Sequence, residues 1–164
     1  MEITRHGTPQ QTNGQPPRVG QPLPAFTVTT ADSQPFTPTA LAGRYNLISV
    51  VPDIDTRVCS ISTKHFNQSM DQFPNIGFYT ISTNTVLQQQ NWCAAEDVAN
   101  MQLLADVDGT FGKALGLYVA ENNTDARSVF IVAPDGTIAY RQLILEQTEE
   151  PDYASALAFL DAHR

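Results

Sequence analysis

The sequence predicts an α/β fold in which a mixed sheet lies between layers of helices. Three observations carry this. Two runs, "YNLISVV" at 45–51 and "IGFYTIS" at 76–82, are almost continuously apolar and too short for helices, which suits strands covered on both faces. Each is followed by a segment with helical character, at 59–73 and 85–100. Towards the carboxyl end, "SVFIVA" and "TIAYRQLIL" flank "PDG", a strong turn signal between two strand-like runs and hence an antiparallel hairpin.

Taken in chain order, residues 1–24 are rich in Pro, Gln, Gly and Thr, and 1–18 read as an N-terminal extension that is irregular or forms a short hairpin. The alternation in "AFTVTT" predicts a strand at 25–30, and "TPTALAG" a short helical turn ended by Gly43. After the first apolar strand, Ile61, Phe66, Met70 and Phe73 recur at steps that fit one face of a helix over 59–73. "MQLLAD" at 101–106 reads as another short strand, and "DGTFGKALGL" as a short helix with Asp108 as its N-cap. Behind the hairpin, Pro151 suits the first turn of a closing helix, with Tyr153, Leu157 and Leu160 on one side. That order of parts suits a thioredoxin-like three-layer α/β/α sandwich, one domain spanning 1–164. No internal repeat or low-complexity tract interrupts it.

The net charge of −8 and the lack of a basic cluster make nucleic acid and anionic membrane surfaces poor partners. No run reaches the ~18 apolar residues of a membrane span. The polar N-terminus has no apolar core of a secretory signal, so a cytoplasmic location is expected. Two distant cysteines and three scattered histidines (His6, His65, His163) give no metal-type spacing; no metal or cofactor is expected.

The chemistry centres on "VVPDIDTRVCSIS" at 50–62. Val51 ends the first apolar strand, Pro52 blocks its continuation, and Cys59 falls where the next helix begins. In open α/β sheets, ligands meet the protein beyond the carboxyl ends of the strands. A helix N-terminus also stabilises a thiolate. Moving any thiol from its ordinary pKa near 8.5 by two units needs about 2.7 kcal/mol, more than a helix terminus usually supplies. A reactive thiol here therefore calls for a cation. Arg57 is one candidate, and Arg127 another if its strand lies beside the central one. Asp53 and Asp55 act in the opposite sense. Thr56, three residues before the cysteine, could bond the sulfur or an attacking oxygen. The other reading of Cys59 is a buried, inert small hydrophobe.

The spacing Pro52-x-x-x-Thr56-x-x-Cys59 resembles the active-site pattern of the peroxiredoxins, and "PDIDTRVC" looks like their thiol peroxidase branch, the atypical two-cysteine type. Cys93, in "NWCAAE", stands 34 residues further on, where that branch carries its resolving cysteine. "TEEPDY" before the last helix is similar as well, so the likeness runs from about Val19 to the end. It implies roles. Cys59 would be the peroxidatic nucleophile, Thr56 would orient the peroxide, and Pro52 would shield the sulfenic acid from water. Arg127 would hydrogen-bond substrate and stabilise the thiolate. Cys93 would condense with the sulfenic acid to a Cys59–Cys93 disulfide, reduced in turn by thioredoxin. The implied substrates are hydrogen peroxide and organic hydroperoxides, and the implied assembly is a homodimer. Asp53 departs from the family's pattern by placing a negative charge in the loop. The chain up to Gly20 matches loosely and is given no role beyond packing.

Other residues read plainly. Trp92 belongs to the core, Lys64 and, unless it serves as the cation for Cys59, Arg57 are solvated charges, and Ser60 and Ser62 start a helix. His65 lies about 240° around the helix from Cys59 and is no base for it. The acidic "EQTEEPD" at 146–152 reads as a solvated lead-in to the last helix. A disulfide reductase is disfavoured because Ser62 stands where Cys-x-x-Cys would need its second thiol. A non-enzymatic redox sensor would need neither the Thr nor the Arg.

Overall fold

The computed structural model describes residues 1–96 and 101–163. It begins with a hairpin, β1 (Glu2–Arg5) and β2 (Thr8–Gln11), turned at His6 and Gly7. Both turn residues have positive φ, 50° and 79°, as a two-residue type I′ turn demands. Next come β3 (Val28–Thr29), β4 (Pro35–Phe36), a 3₁₀ turn at Pro38–Leu41, β5 (Asn46–Val50), α1 (Arg57–Ser69), β6 (Gly77–Ser82) and α2 (Val86–Glu96). The second half holds β7 (Gln102–Ala105), α3 (Thr110–Leu115), β8 (Tyr118–Val119), β9 (Thr124–Asp125), β10 (Ser128–Val132), β11 (Ile138–Leu143) and α4 (Tyr153–Ala162).

The main sheet has seven strands in the order β11-β10-β5-β6-β7-β3-β4. β5, β6 and β7 run parallel; the other pairings are antiparallel. Strand periodicity divides the core into two faces. Ile48 and Val50, with Phe130 and Val132, point to the side covered by the N-terminal hairpin and α3. Leu47 and Val51, with Val129 and Ile131, point to the side where Phe66 of α1, Trp92 of α2 and Leu160 of α4 pack. This is the predicted mixed sheet between helical layers. Among the described residues no helix is long and apolar enough to cross a membrane.

Several boundaries move. The strand expected at 25–30 is reduced to β3. The helix expected from Cys59 starts at Arg57 and ends at Ser69, its last turn tightening to 3₁₀ at Met70–Gln72. Helix α2 is described as far as Glu96; the remainder of the stretch predicted helical, 97–100, lies outside the described residues. Pro151 precedes α4 rather than entering it, because Asp152 is the N-cap and accepts from Ser155 N–H at 3.0 Å.

Asp108 is not the cap of α3. Gly109 occupies that position with φ 71°. The carboxylate that takes the orphan amides is Asp106, from Phe111 N–H at 2.9 Å and Gly112 N–H at 3.0 Å. Asp106 itself is 1% exposed and faces Asp125, 0% exposed. Gly112 permits that approach, since a Cβ there would sit 1.8 Å from Asp125 Oδ1. Among the described residues neither oxygen of Asp125 has a donor, so a bond between the two carboxyls needs a proton on one of them. Burial, then the bond and the charge of Asp106, hold Asp125 well above the usual carboxyl range, with Lys113 partly offsetting them.

The sign for stability follows. A native pKa above the unfolded value of about 3.9 means that the native state binds more protons, so stability falls as pH rises through that window. Asp125→Asn keeps a donor towards Asp106 at every pH. Its Tm should match the wild type near pH 4 and exceed it at pH 8, by about 2–4 °C for each kcal/mol recovered. Thermal unfolding across that range checks it, and parallel Tm–pH curves would contradict the shared proton.

Candidate active site

Cys59 is the third residue of α1, beyond the carboxyl end of β5. The first turn of α1 has no side-chain cap, so its leading N–H groups are left to whatever occupies the space in front of them. The thiol is 1% exposed at the floor of a pocket of about 350 Å³ that Pro52, Thr56, Val58 and Arg127 also line.

The cation is Arg127. β10 pairs antiparallel with β5, Ser128 opposite Val50, which sets Arg127 at the strand end where Cys59 sits. Its Nη2 donates to Cys59 Sγ at 3.0 Å. The guanidinium is buried (3% exposed) and fixed by Gln147. Arg127 Nε donates to the Gln147 carbonyl at 3.0 Å, and Arg127 N–H donates to Gln147 Oε1 at 2.6 Å. Among the described residues Nη1 has no partner. One arm of the fork thus steadies the sulfur while the other is unused. Arg57 is exposed and has no such contact.

Thr56 is turned differently from the simplest reading. Its hydroxyl donates to the Asp53 carbonyl at 2.9 Å, not to the sulfur. With its proton engaged, that oxygen is an acceptor for an O–H arriving in the pocket. The two acids expected to oppose a thiolate are diverted. Asp53 and Asp55 line a separate cleft with Asn84 and Trp92. The Asp53 carboxylate accepts from Asn84 Nδ2 and from Asp55 N–H, each at 3.0 Å.

Cys93 is not in this pocket. It lies on α2, half-buried, and opens on a larger groove of about 650 Å³ shared with Gln89, Gln90 and Leu103. Both cysteines are free thiols. Burial pushes the Cys93 thiol up, whereas Cys59 has the Arg127 guanidinium on its sulfur. Trp92 is buried and its indole N–H donates to Ser60 Oγ at 3.3 Å, tying the Cys93 helix to the first turn of α1. Ser62 and Thr63 both donate to the Cys59 carbonyl, at 3.1 and 2.8 Å, which makes them helix residues rather than nucleophiles. His65 is exposed and stacks on Tyr153 at 3.9 Å, away from the sulfur. Burial, then its bond to Glu150, pushes the Tyr153 phenol up, so it is no base either.

Sequence reasoning missed Gln147 and the placement of the N-terminal hairpin, whose formation it had allowed. Within "EQTEEPD", Gln147 is 3% exposed. Glu146 is not simply solvated. It accepts from Thr4 Oγ1 and Gly7 N–H at 3.0 and 2.8 Å, and from Thr148 N–H and Oγ1 at 2.9 and 2.6 Å. Those donors, Thr148 foremost, hold its carboxyl down at about 2. Glu146 thereby pins the hairpin turn beside the pocket, where Arg5 and His6 form part of the wall. No spacing or periodicity in residues 1–18 signals that placement.

The AhpC/TSA family model matches residues 19–141. A thiol peroxidase of Bacillus subtilis is 36% identical over 153 residues, 93% of this chain and 92% of its own length. A thiol peroxidase of Listeria innocua is 38% identical over 157 residues, 95% of each chain. Among solved structures, a peroxiredoxin-like protein from Aquifex aeolicus superposes with a TM-score of 0.89 at 28% identity, covering 98% of this chain and 96% of that one.

Proposed function

This chain belongs to the AhpC/TSA family, in the thiol peroxidase branch of the peroxiredoxins, and from that premise we propose that it reduces hydrogen peroxide and organic hydroperoxides through Cys59. The observation that carries the reading is the 3.0 Å contact from Arg127 Nη2 to the Cys59 sulfur, in a pocket that also presents Thr56 and Pro52. A guanidinium N–H on sulfur favours negative charge there, and the thiolate is the nucleophile. It attacks the terminal peroxide oxygen. The O–O bond breaks, the leaving alkoxide takes a proton as alcohol or water, and Cys59 becomes a sulfenic acid. Thr56 Oγ1 accepts the peroxide O–H, and Arg127 Nη1, without a partner among the described residues, donates to the oxygen gaining charge. Pro52, itself buried, keeps bulk water from the oxidised sulfur.

Cys93 is the resolving thiol in this reading. Its sulfur attacks the sulfenic sulfur, water leaves, and a Cys59–Cys93 disulfide forms; two electrons from thioredoxin restore both thiols. Burial raises the Cys93 thiol, so at neutral pH its thiolate, the attacking form, has to be released as the segment opens. Steady-state peroxide consumption with thioredoxin and its reductase tests the whole. Many turnovers per chain are expected; one oxidation per chain and no more would mean a redox sensor instead.

The thiols open on different pockets, whereas a disulfide needs Cα atoms within about 7 Å. In this reading the first turn of α1, the α2 segment around Cys93, or both unwind during the cycle, drawing on the low end of local stability. In Cys93→Ser the first oxidation should remain fast while thioredoxin-driven turnover stops. Amide exchange around 60–63 or 92–95 should be faster in oxidised wild type than in reduced. Identical exchange in both redox states at both segments would contradict the unwinding, and normal turnover of Cys93→Ser would remove Cys93 from the cycle.

A further inference from the structure

In a chain of net charge −8, the pocket over Cys59 is cationic: Arg5, Arg57 and Arg127 line it with His6, and among the described residues no Asp or Glu does. Among the described residues the one ion pair within 4 Å is Lys64 with Glu96, elsewhere on the surface, so no carboxylate pairs directly with these arginines. Arg127 is committed to the sulfur. Arg5 is not, and it is held at the rim by a neutral partner. With its amide oxygen turned towards Arg5, Asn122 accepts from Nε at 3.0 Å and Nη2 at 3.2 Å, which orients the guanidinium without cancelling its charge. Glu146, the acid bonded to the hairpin turn, directs its oxygens to Thr4, His6, Gly7 and Thr148 and does not line the pocket. Pro52 and Val58 are apolar parts of the same lining.

We propose that Arg5, with His6 and Arg57 beside it, makes this pocket selective for organic hydroperoxides that carry a carboxylate on a compact apolar body. The inference rests on the peroxidase reading and adds a substrate class to it. The hydroperoxide end would reach Cys59, the apolar body would lie on Pro52 and Val58, and the carboxylate would meet the Arg5 guanidinium, whose planar fork suits it. A cationic cleft also raises the encounter rate of anions.

The test compares cumene hydroperoxide with its para-carboxylate, which differ only in the charged group. Wild type should favour the carboxylate in kcat/KM by about fivefold to tenfold at low salt, and the ratio should shrink as ionic strength rises. Arg5→Ala should bring the ratio close to one, and Arg5→Lys should retain most of it, which separates charge from hairpin folding. A wild-type ratio at or below one, or an unchanged ratio in Arg5→Ala, overturns the inference while leaving peroxidase activity in place. Failure of wild type on both members of the cumene pair overturns this inference, and failure on hydrogen peroxide as well removes the peroxidase reading with it.

Discussion

Cys59→Ser should leave less than about 1% of peroxide turnover, the scale on which loss of a catalytic nucleophile usually registers. The replacement keeps the shape of the side chain and puts an oxygen where the sulfur receives the Arg127 N–H at 3.0 Å. A hydroxyl is not ionised near neutrality, and a single guanidinium does not change that, so the attacking electron pair is lost. The fold should survive. The new hydroxyl is 1% exposed like the thiol it replaces, but Arg127 remains as a partner, which limits the cost to about 1 kcal/mol. Peroxide consumption, beside a Tm within a few degrees of wild type, measures both halves. More than a few per cent of wild-type activity in a folded variant would take Cys59 out of the central role.

What the sequence disclosed about this site follows the range of the signals. Strand endings, helix starts and the Pro-Thr-Cys spacing are local, so the place of Cys59, Pro52 and Thr56 could be read from 13 residues. Arg127 required one non-local fact, that its strand lies beside β5, which the family resemblance implied and no local signal carried. Gln147 had no such help. It sits among charged neighbours, and only the return of the chain after β11 places its carbonyl and amide oxygens on Arg127. The same holds for Arg5 and His6, brought to the pocket by Glu146 across more than 130 residues of chain. The Asp108 cap failed for a different reason. The local rule was sound, but Asp106, at the end of β7, reached the α3 amides first. Asp53, a charge that looked adverse in sequence, is turned towards Asn84, whose position depends on the loop after β6.

Arg127→Ala should slow the first oxidation of Cys59 by about a hundredfold or more, the usual effect of removing one donor from a developing anion. Its guanidinium has two tasks, and they can be separated. On the proposed mechanism Nη2, in contact with the sulfur, stabilises charge there, which bears on any reaction of the thiolate. Nη1, without a protein partner, bears on peroxides alone, because only they generate charge on a departing oxygen. Alkylation of Cys59 by iodoacetamide at fixed pH reports the first task; the single-turnover rate with hydrogen peroxide reports both. The peroxide rate should therefore fall further than the alkylation rate. Local structure should persist, since the 2.6 Å bond from the backbone N–H of residue 127 to Gln147 Oε1 does not use the arginine side chain. Arg127→Lys should fall between, because an ammonium group can approach the sulfur yet lacks the planar fork that serves sulfur and peroxide together. Equal losses in the two reactions would confine Arg127 to the thiolate. No loss in either would make the 3.0 Å contact structural only, and would leave the helix terminus to activate Cys59 alone.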